Sequence, residues 1–232
     1  LTDKLYFVFI AYFLPLTLAR GFFLYISLKK FKKNNNTDGG TETYGKHLSV
    51  IEVANKIASN LEDILLWHFM GPIDLAIYSF AASPVKQVKG SLKSLNELAL
   101  PKLSNRSLDQ LKKSIPGKAF RFSLLLLVIT ITYIILVPFA YNLFFPEYLS
   151  SIPYAQAMAL LILVNATFPF SQTLRAHKKV KQLYFLNISK SIIKITTLFI
   201  LIPLLGIWGL VLSRLFISLY GTVVSIFLFK RL

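Results

Sequence analysis

Residues 121–181 read RFSLLLLVITITYIILVPFAYNLFFPEYLSSIPYAQAMALLILVNATFPFSQTLRAHKKVK. No charged side chain occurs from Phe122 to Phe145, and none from Tyr154 to Leu174. The one acid, Glu147, stands between the two runs in Pro146-Glu147-Tyr148. The basic residues stand outside them: Arg121 before, and Arg175, Lys178, Lys179 and Lys181 after. A helix needs about 20 apolar residues to cross a bilayer core of ~30 Å, and each run is that long. The segment therefore reads as two membrane spans. Aromatic side chains mark the outer interface at Tyr148, and both basic ends lie on the opposite side.

The same alternation holds along the whole chain. Basic residues cluster at Lys29, Lys30, Lys32, Lys33 and Lys46, again from Lys102 to Arg121, from Arg175 to Lys181, and at Lys230 and Arg231. The gaps Met70–Asp74, Pro146–Pro153 and Pro203–Trp208 hold none. Short loops rich in Lys and Arg stay on the cytoplasmic side. This predicts an all-α, polytopic transmembrane bundle of about seven spans, with its C-terminus in the cytoplasm.

The spans follow in order. The first runs from Leu5 to Leu28. Residues 29–47 form a polar cytoplasmic linker, with Asn34-Asn35-Asn36 and Gly39-Gly40. The second span, Leu48 to Met70, turns back at Gly71-Pro72 into a third, Ile73 to Pro101. A basic cytoplasmic segment, Lys102 to Arg121, leads into the fourth and fifth spans, the fifth kinked near Pro169. From Ile195 to Phe229 the only charge is Arg214, over a length too great for one crossing. Pro203 and Gly206 split it into the ends of spans six (Gln182–Pro203) and seven (Ile207–Phe229).

Composition agrees. The chain has 232 residues, 55% hydrophobic, with no Cys and a net charge of +16; its mean hydropathy is +0.60. That charge lies in loops between spans, which argues for topology and anionic headgroups rather than nucleic acid. Without Cys there is no disulfide or thiolate metal site, and His47, His68 and His177 have no ligand spacing. No cofactor is expected. The first residue is Leu1 and no cleavable signal pattern precedes the first span, so the chain reads as a piece lacking its N-terminal part.

Charges inside spans carry the functional signal, because each costs several kcal/mol unless it faces a bundle interior or water. At about 100° per residue, Glu52, Asn55, Lys56, Ser59 and Asp63 form one stripe on span two, with Asn60 and Glu62 to either side. Glu52 and Lys56 have the i,i+4 order that favours an ion pair. On span three, Lys86, Lys89, Lys93 and Glu97 share a face. Lys194 and Arg214 sit too deep in spans six and seven to reach headgroups easily. Arg20 and Lys190 can snorkel. The ten candidate cavity residues are thus Glu52, Asn55, Lys56, Ser59, Asp63, Lys86, Lys89, Lys93, Lys194 and Arg214. Together they predict a hydrated cavity, cationic toward the cytoplasm, that accepts an anionic polar substrate.

One motif fails on context. Gly40-Thr41-Glu42-Thr43-Tyr44-Gly45-Lys46 fits G-x-x-x-x-G-K, but His47 replaces the Mg²⁺-binding Ser/Thr and no strand precedes it.

The stretch Glu62-Asp63-Ile64-Leu65-Leu66-Trp67-His68-Phe69-Met70-Gly71-Pro72, running on to Leu75-Ala76-Ile77-Tyr78-Ser79, carries a resemblance. So do Phe145-Pro146-Glu147-Tyr148 with Tyr154-Ala155, and Leu205-Gly206-Ile207-Trp208-Gly209. In order and spacing these resemble the polysaccharide and oligosaccharide (O-antigen type) flippases of the multidrug/oligosaccharidyl-lipid/polysaccharide exporter superfamily. Asp63 matches the family's acid; Ile64 stands where a basic residue is usual, and Ala76 where Gly is.

The resemblance implies that residues 1–28 are the last span of an N-terminal lobe. Residues 48–232 would be the second six-helix lobe of a twelve-span transporter with a central cavity and alternating access. The implied substrate is a polyprenyl-(pyro)phosphate-linked glycan, with membrane lipids and glycan-assembly machinery as partners, in the cytoplasmic membrane. Two other readings are a drug/cation antiporter of the same superfamily, whose cavity should be acidic and aromatic, and a membrane-bound polymerase or ligase. The latter needs a large outer loop, and the outer gaps here are short.

Overall fold

The computed structural model describes residues 2–30, 40–98 and 100–232. The described residues are helical, without strands. The chain forms two units, residues 1–42 and 43–232, so the division falls inside the stretch read as a linker. Most of that linker, residues 31–39, lies outside the described residues.

Among the described residues six helices are long and apolar enough to cross a membrane, and the protein is a multi-pass membrane protein. The first unit holds α1 (Thr2–Lys30), which is apolar on all sides and ends in Lys29 and Lys30. A helix hydrophobic all round is suited to lipid rather than water.

The second unit begins with α2 (Thr41–Glu97). It is one helix only in name, because Gly71 has φ 84° and ψ −178°, outside any helical region. That backbone belongs to glycine, since a Cβ would make it strained. As a straight rod α2 would place Glu62 and Lys86 about 36 Å apart, yet both line one cleft. The two arms, 41–70 and 72–97, therefore fold back on each other, which brings the crossing segments to seven.

After α3 (Leu100–Ser104) comes α4 (Leu108–Phe144). The basic segment expected over 102–121 is largely helical and runs straight into span four. Two physical reasons explain this. Ser107 caps the helix, accepting from the Gln110 N–H at 3.4 Å. Leu111, Ile115 and Ala119 bury against Phe170 and Phe229, so Lys112, Lys113 and Lys118 project from a helix that is anchored on its other face.

A short 3₁₀ turn, Pro146–Ser151, closes the end that lacks Lys and Arg. Its Tyr148 ring stacks on Phe80 at 4.1 Å, and Ser151 donates to the Ile77 carbonyl at 3.0 Å. Span five is α5 (Ile152–Leu163) and α6 (Phe168–Ala176), separated by a 3₁₀ stretch, Val164–Thr167. The break comes just before Pro169, which cannot donate to the preceding turn.

The hairpin α7 (Val180–Leu205) and α8 (Ile207–Lys230) turns at Gly206, φ 58°. A Cβ on Gly209 would lie 2.0 Å from the Leu201 carbonyl oxygen, so these two backbones pack directly. Small residues at such crossings permit the close approach that drives helix association in lipid. Leu66, Tyr78, Ala82, Leu126, Met158, Leu198 and Leu210 form the main core. Outward, Leu125, Val128, Ile135, Leu136 and Phe139 of α4 are exposed. Apolar patches of that extent fit an acyl-chain environment.

Candidate functional site: a cationic cleft between α2, α7 and α8

While α7 and α8 meet backbone to backbone, α2 approaches its neighbours less closely. Polar side chains bridge the space between them. Asn55 Nδ2 donates to Asn187 Oδ1 at 3.2 Å, and Ser191 Oγ donates to Asn55 Oδ1 at 3.3 Å. One turn further, Lys194 Nζ donates to Ser59 Oγ at 3.3 Å. Next comes Glu62, 2% exposed. Its Oε1 lies 2.7 Å from Lys194 Nζ, and its Oε2 accepts from Arg214 Nε at 2.9 Å and also from Nη2. A carboxylate this buried is stable only because both cations compensate it.

The space these groups enclose is a cleft of about 400 Å³, within the size range of small-molecule sites. Its charged lining is Glu62, Lys86, Lys89, Lys190, Lys194 and Arg214. Five cations thus face one carboxylate, and that carboxylate is already engaged by Lys194 and Arg214. Among the described residues no carboxylate lies within 4 Å of Lys86, Lys89 or Lys190. Tyr78, fully buried on the second arm of α2, presents its ring to Arg214 at 5.3 Å and to Lys86 at 5.9 Å. An aromatic face between two cations softens their mutual repulsion.

Lys190 owes its position to glycine. A Cβ on Gly221 would sit 2.8 Å from Lys190 Cε and 2.9 Å from Nζ. Without a side chain at residue 221, the lysine lies flat across α8 and keeps its ammonium in the cleft.

Six of the ten expected residues line this cleft: Asn55, Ser59, Lys86, Lys89, Lys194 and Arg214. The other four lie elsewhere. Glu52 pairs with Arg175 at 3.1 Å, at the lysine-rich end. Lys56, Asp63 and Lys93 are exposed and line no part of it. The cleft also takes Glu62, read as lying beside the stripe, Lys190, read as reaching headgroups, and Asn187 and Ser191, which the sequence did not single out. A signal for Glu62 was present, since Asn55, Ser59 and Glu62 are spaced i, i+4, i+7, one helix face. For Lys190 the signal was its i,i+4 spacing to Lys194. At about 1.5 Å per residue, Arg214 lies about 12 Å from the turn at Gly206 and Lys190 about 24 Å from it. The unpaired lysines thus occupy the half of the cleft nearer the lysine-rich end.

Compared with protein-family models, with curated proteins and with solved structures, the chain has no match.

Proposed function

We propose that this chain forms one lobe of a transporter that moves a lipid-linked anionic glycan across the cytoplasmic membrane by alternating access. One observation carries the reading: Lys86, Lys89 and Lys190 face a cleft inside a membrane bundle with no carboxylate within 4 Å among the described residues. Unpaired ammonium groups at membrane depth are costly, and the cost is offset when an anion completes the site. A phosphate or diphosphate does so, while its polyprenyl tail stays among the apolar faces of α4 and α7.

The same charge argues against an organic cation as cargo, since five cations outnumber the single acid. The resemblance noted in Glu62–Ser79 and Leu205–Gly209 supports the flippase reading independently of the cleft. In this reading the lysine-rich ends face the cytoplasm, where such substrates are made, and the C-terminus lies there too.

The test is transbilayer movement. The complete two-lobe transporter that contains this chain is reconstituted in liposomes with a fluorescent polyprenyl-diphosphate-linked oligosaccharide, and external quenching follows its appearance in the outer leaflet. The reading expects movement that falls about tenfold or more in Lys89→Gln at matched folding. Equal movement in Lys89→Gln and the unaltered protein, or none in either, would overturn it.

A further inference from the structure

Next to the cationic cleft lies a second, of about 170 Å³, which shares Lys89 and Lys190 with it. Its wall comes from the 3₁₀ break of span five, the first turn of α6 and the facing turns of α8: Asn165, Thr167, Ser171, Ser218, Thr222 and Ser225. The wall is rich in hydroxyls, yet all their hydrogens except that of Ser218 are already spent. Thr167 donates to the Val164 carbonyl at 2.8 Å, Ser171 to Phe168 at 3.0 Å and Ser225 to Gly221 at 2.6 Å. The Asn165 amide nitrogen donates to Leu161 and Ile162. With the Thr167 hydrogen so committed, the 3.2 Å contact between Thr167 and Thr222 must use the Thr222 hydrogen. A hydroxyl oxygen keeps lone pairs after donating, and an amide keeps its carbonyl oxygen. Apart from the Ser218 hydroxyl, which lines both clefts and has its hydrogen free among the described residues, the wall therefore offers acceptors, and the donors at its mouth are the ammonium groups of Lys89 and Lys190.

This pattern selects its ligand. A phosphate, which only accepts, finds a single hydroxyl donor along the wall, Ser218 at the border with the first cleft, and faces acceptor oxygens elsewhere. A metal or organic cation would suit the oxygens but is repelled by two ammonium groups. A neutral polyol fits, because each of its hydroxyls can donate to the wall while accepting from a lysine.

We infer that the acceptor wall is the sugar subsite of the transporter, and that the proximal hexose of the substrate lies between Thr222 and Ser171 while its phosphate rests on Lys86, Lys89 and Lys190. The inference rests on the functional reading above and adds where the glycan, rather than the charge, is recognised. It also gives the span-five break a role: a continuous helix there would carry its own hydrogen bonds and would not turn these side chains toward α8.

The test compares two probes on the full chain in nanodiscs of neutral lipid: undecaprenyl diphosphate, and the same lipid carrying one N-acetylglucosamine. The wall reads O–H groups, so any hydroxylated sugar serves. The sugar should tighten binding. Thr222→Val, which keeps shape and loses the hydroxyl, should remove about fivefold of that gain, the worth of one hydrogen bond. It should leave undecaprenyl diphosphate binding unchanged, and Thr222→Ser should restore the gain. Thr197→Val, whose hydroxyl is also back-bonded but lies outside both clefts, controls for general effects. The inference is overturned if the sugar adds no affinity, or if its gain survives Thr222→Val together with Ser171→Ala. Loss of undecaprenyl diphosphate binding in Lys89→Gln with no sugar gain would sink the subsite alone. Undecaprenyl diphosphate binding indifferent to Lys86, Lys89 and Lys190 would sink the functional reading beneath it.

Discussion

Lys194 Nζ lies 2.7 Å from Glu62 Oε1, and this contact joins α7 to the first arm of α2 at membrane depth. The other oxygen of the carboxylate takes Arg214 of α8. One acid thus ties three spans together beside the cleft.

Removing that acid should be costly. Glu62→Gln leaves two cations uncompensated, which for buried pairs amounts to about 3–5 kcal/mol. The thermal midpoint of the protein in detergent should fall by several degrees. Adding Lys194→Met should recover part of the loss, because it removes one stranded charge. A single variant that melts with the parent would show that the triad does not hold the spans.

The turns at the end without Lys or Arg make a backbone prediction. Gly71 has φ 84° and ψ −178°, a region nearly closed to other residues, so Gly71→Ala should destabilise by about 1–3 kcal/mol. Gly90 lies in ordinary helix with open space around it, so Gly90→Ala should be neutral or stabilise by up to about 1 kcal/mol. Parallel melts of the two variants check the contrast.

Glycines in the α7–α8 hairpin should part ways too. In Gly209→Ala the new methyl meets the Leu201 carbonyl at 2.0 Å, and the backbones must separate at about 1–3 kcal/mol. In Gly221→Ala it meets only the flexible end of Lys190. That variant should fold normally and bind undecaprenyl diphosphate a few-fold more weakly. Melting and binding measured on both variants separate the two effects.

Topology can be read directly. Single cysteines at 46, 112, 179 and 230 should all be shielded from a membrane-impermeant maleimide in intact cells. Those at 70, 147 and 205 should label. A mixed pattern within either set would contradict the alternation of charge on which the spans rest.

The spans were legible because charge sorts itself by loop. Gly71-Pro72 and Gly206 could be read as turns because a break is needed wherever an apolar run exceeds one crossing. The continuation of α4 through the basic segment was not. Lys112, Lys113 and Lys118 look like loop charges until Ile115 is seen packed near Phe170 and Phe229. At the site, depth was readable and rotation was not. Asp63 and Glu62 are neighbours about 100° apart on the helix. Which of them turns inward depends on how α2 rolls against α7, and that is set by the packing of Leu65 and Leu66 into the core. The stripe drawn through Asp63 was therefore rotated by about one residue from the face that meets α7. Lys190 was assigned to headgroups because nothing in its own helix shows that Gly221, on the next one, leaves it room.

The central claim is that the cleft takes an anion on lysines that have no acid of their own. Its most direct test is the affinity of undecaprenyl diphosphate for the full chain in neutral-lipid nanodiscs, beside the triple variant Lys86→Gln, Lys89→Gln, Lys190→Gln. These substitutions spare the Glu62 triad, so the fold should persist. The account predicts binding weakened at least about a hundredfold, from losing three charge-assisted contacts of about 1.5–3 kcal/mol each in part. Binding of equal strength to both proteins, with the variant still melting cooperatively, would contradict it.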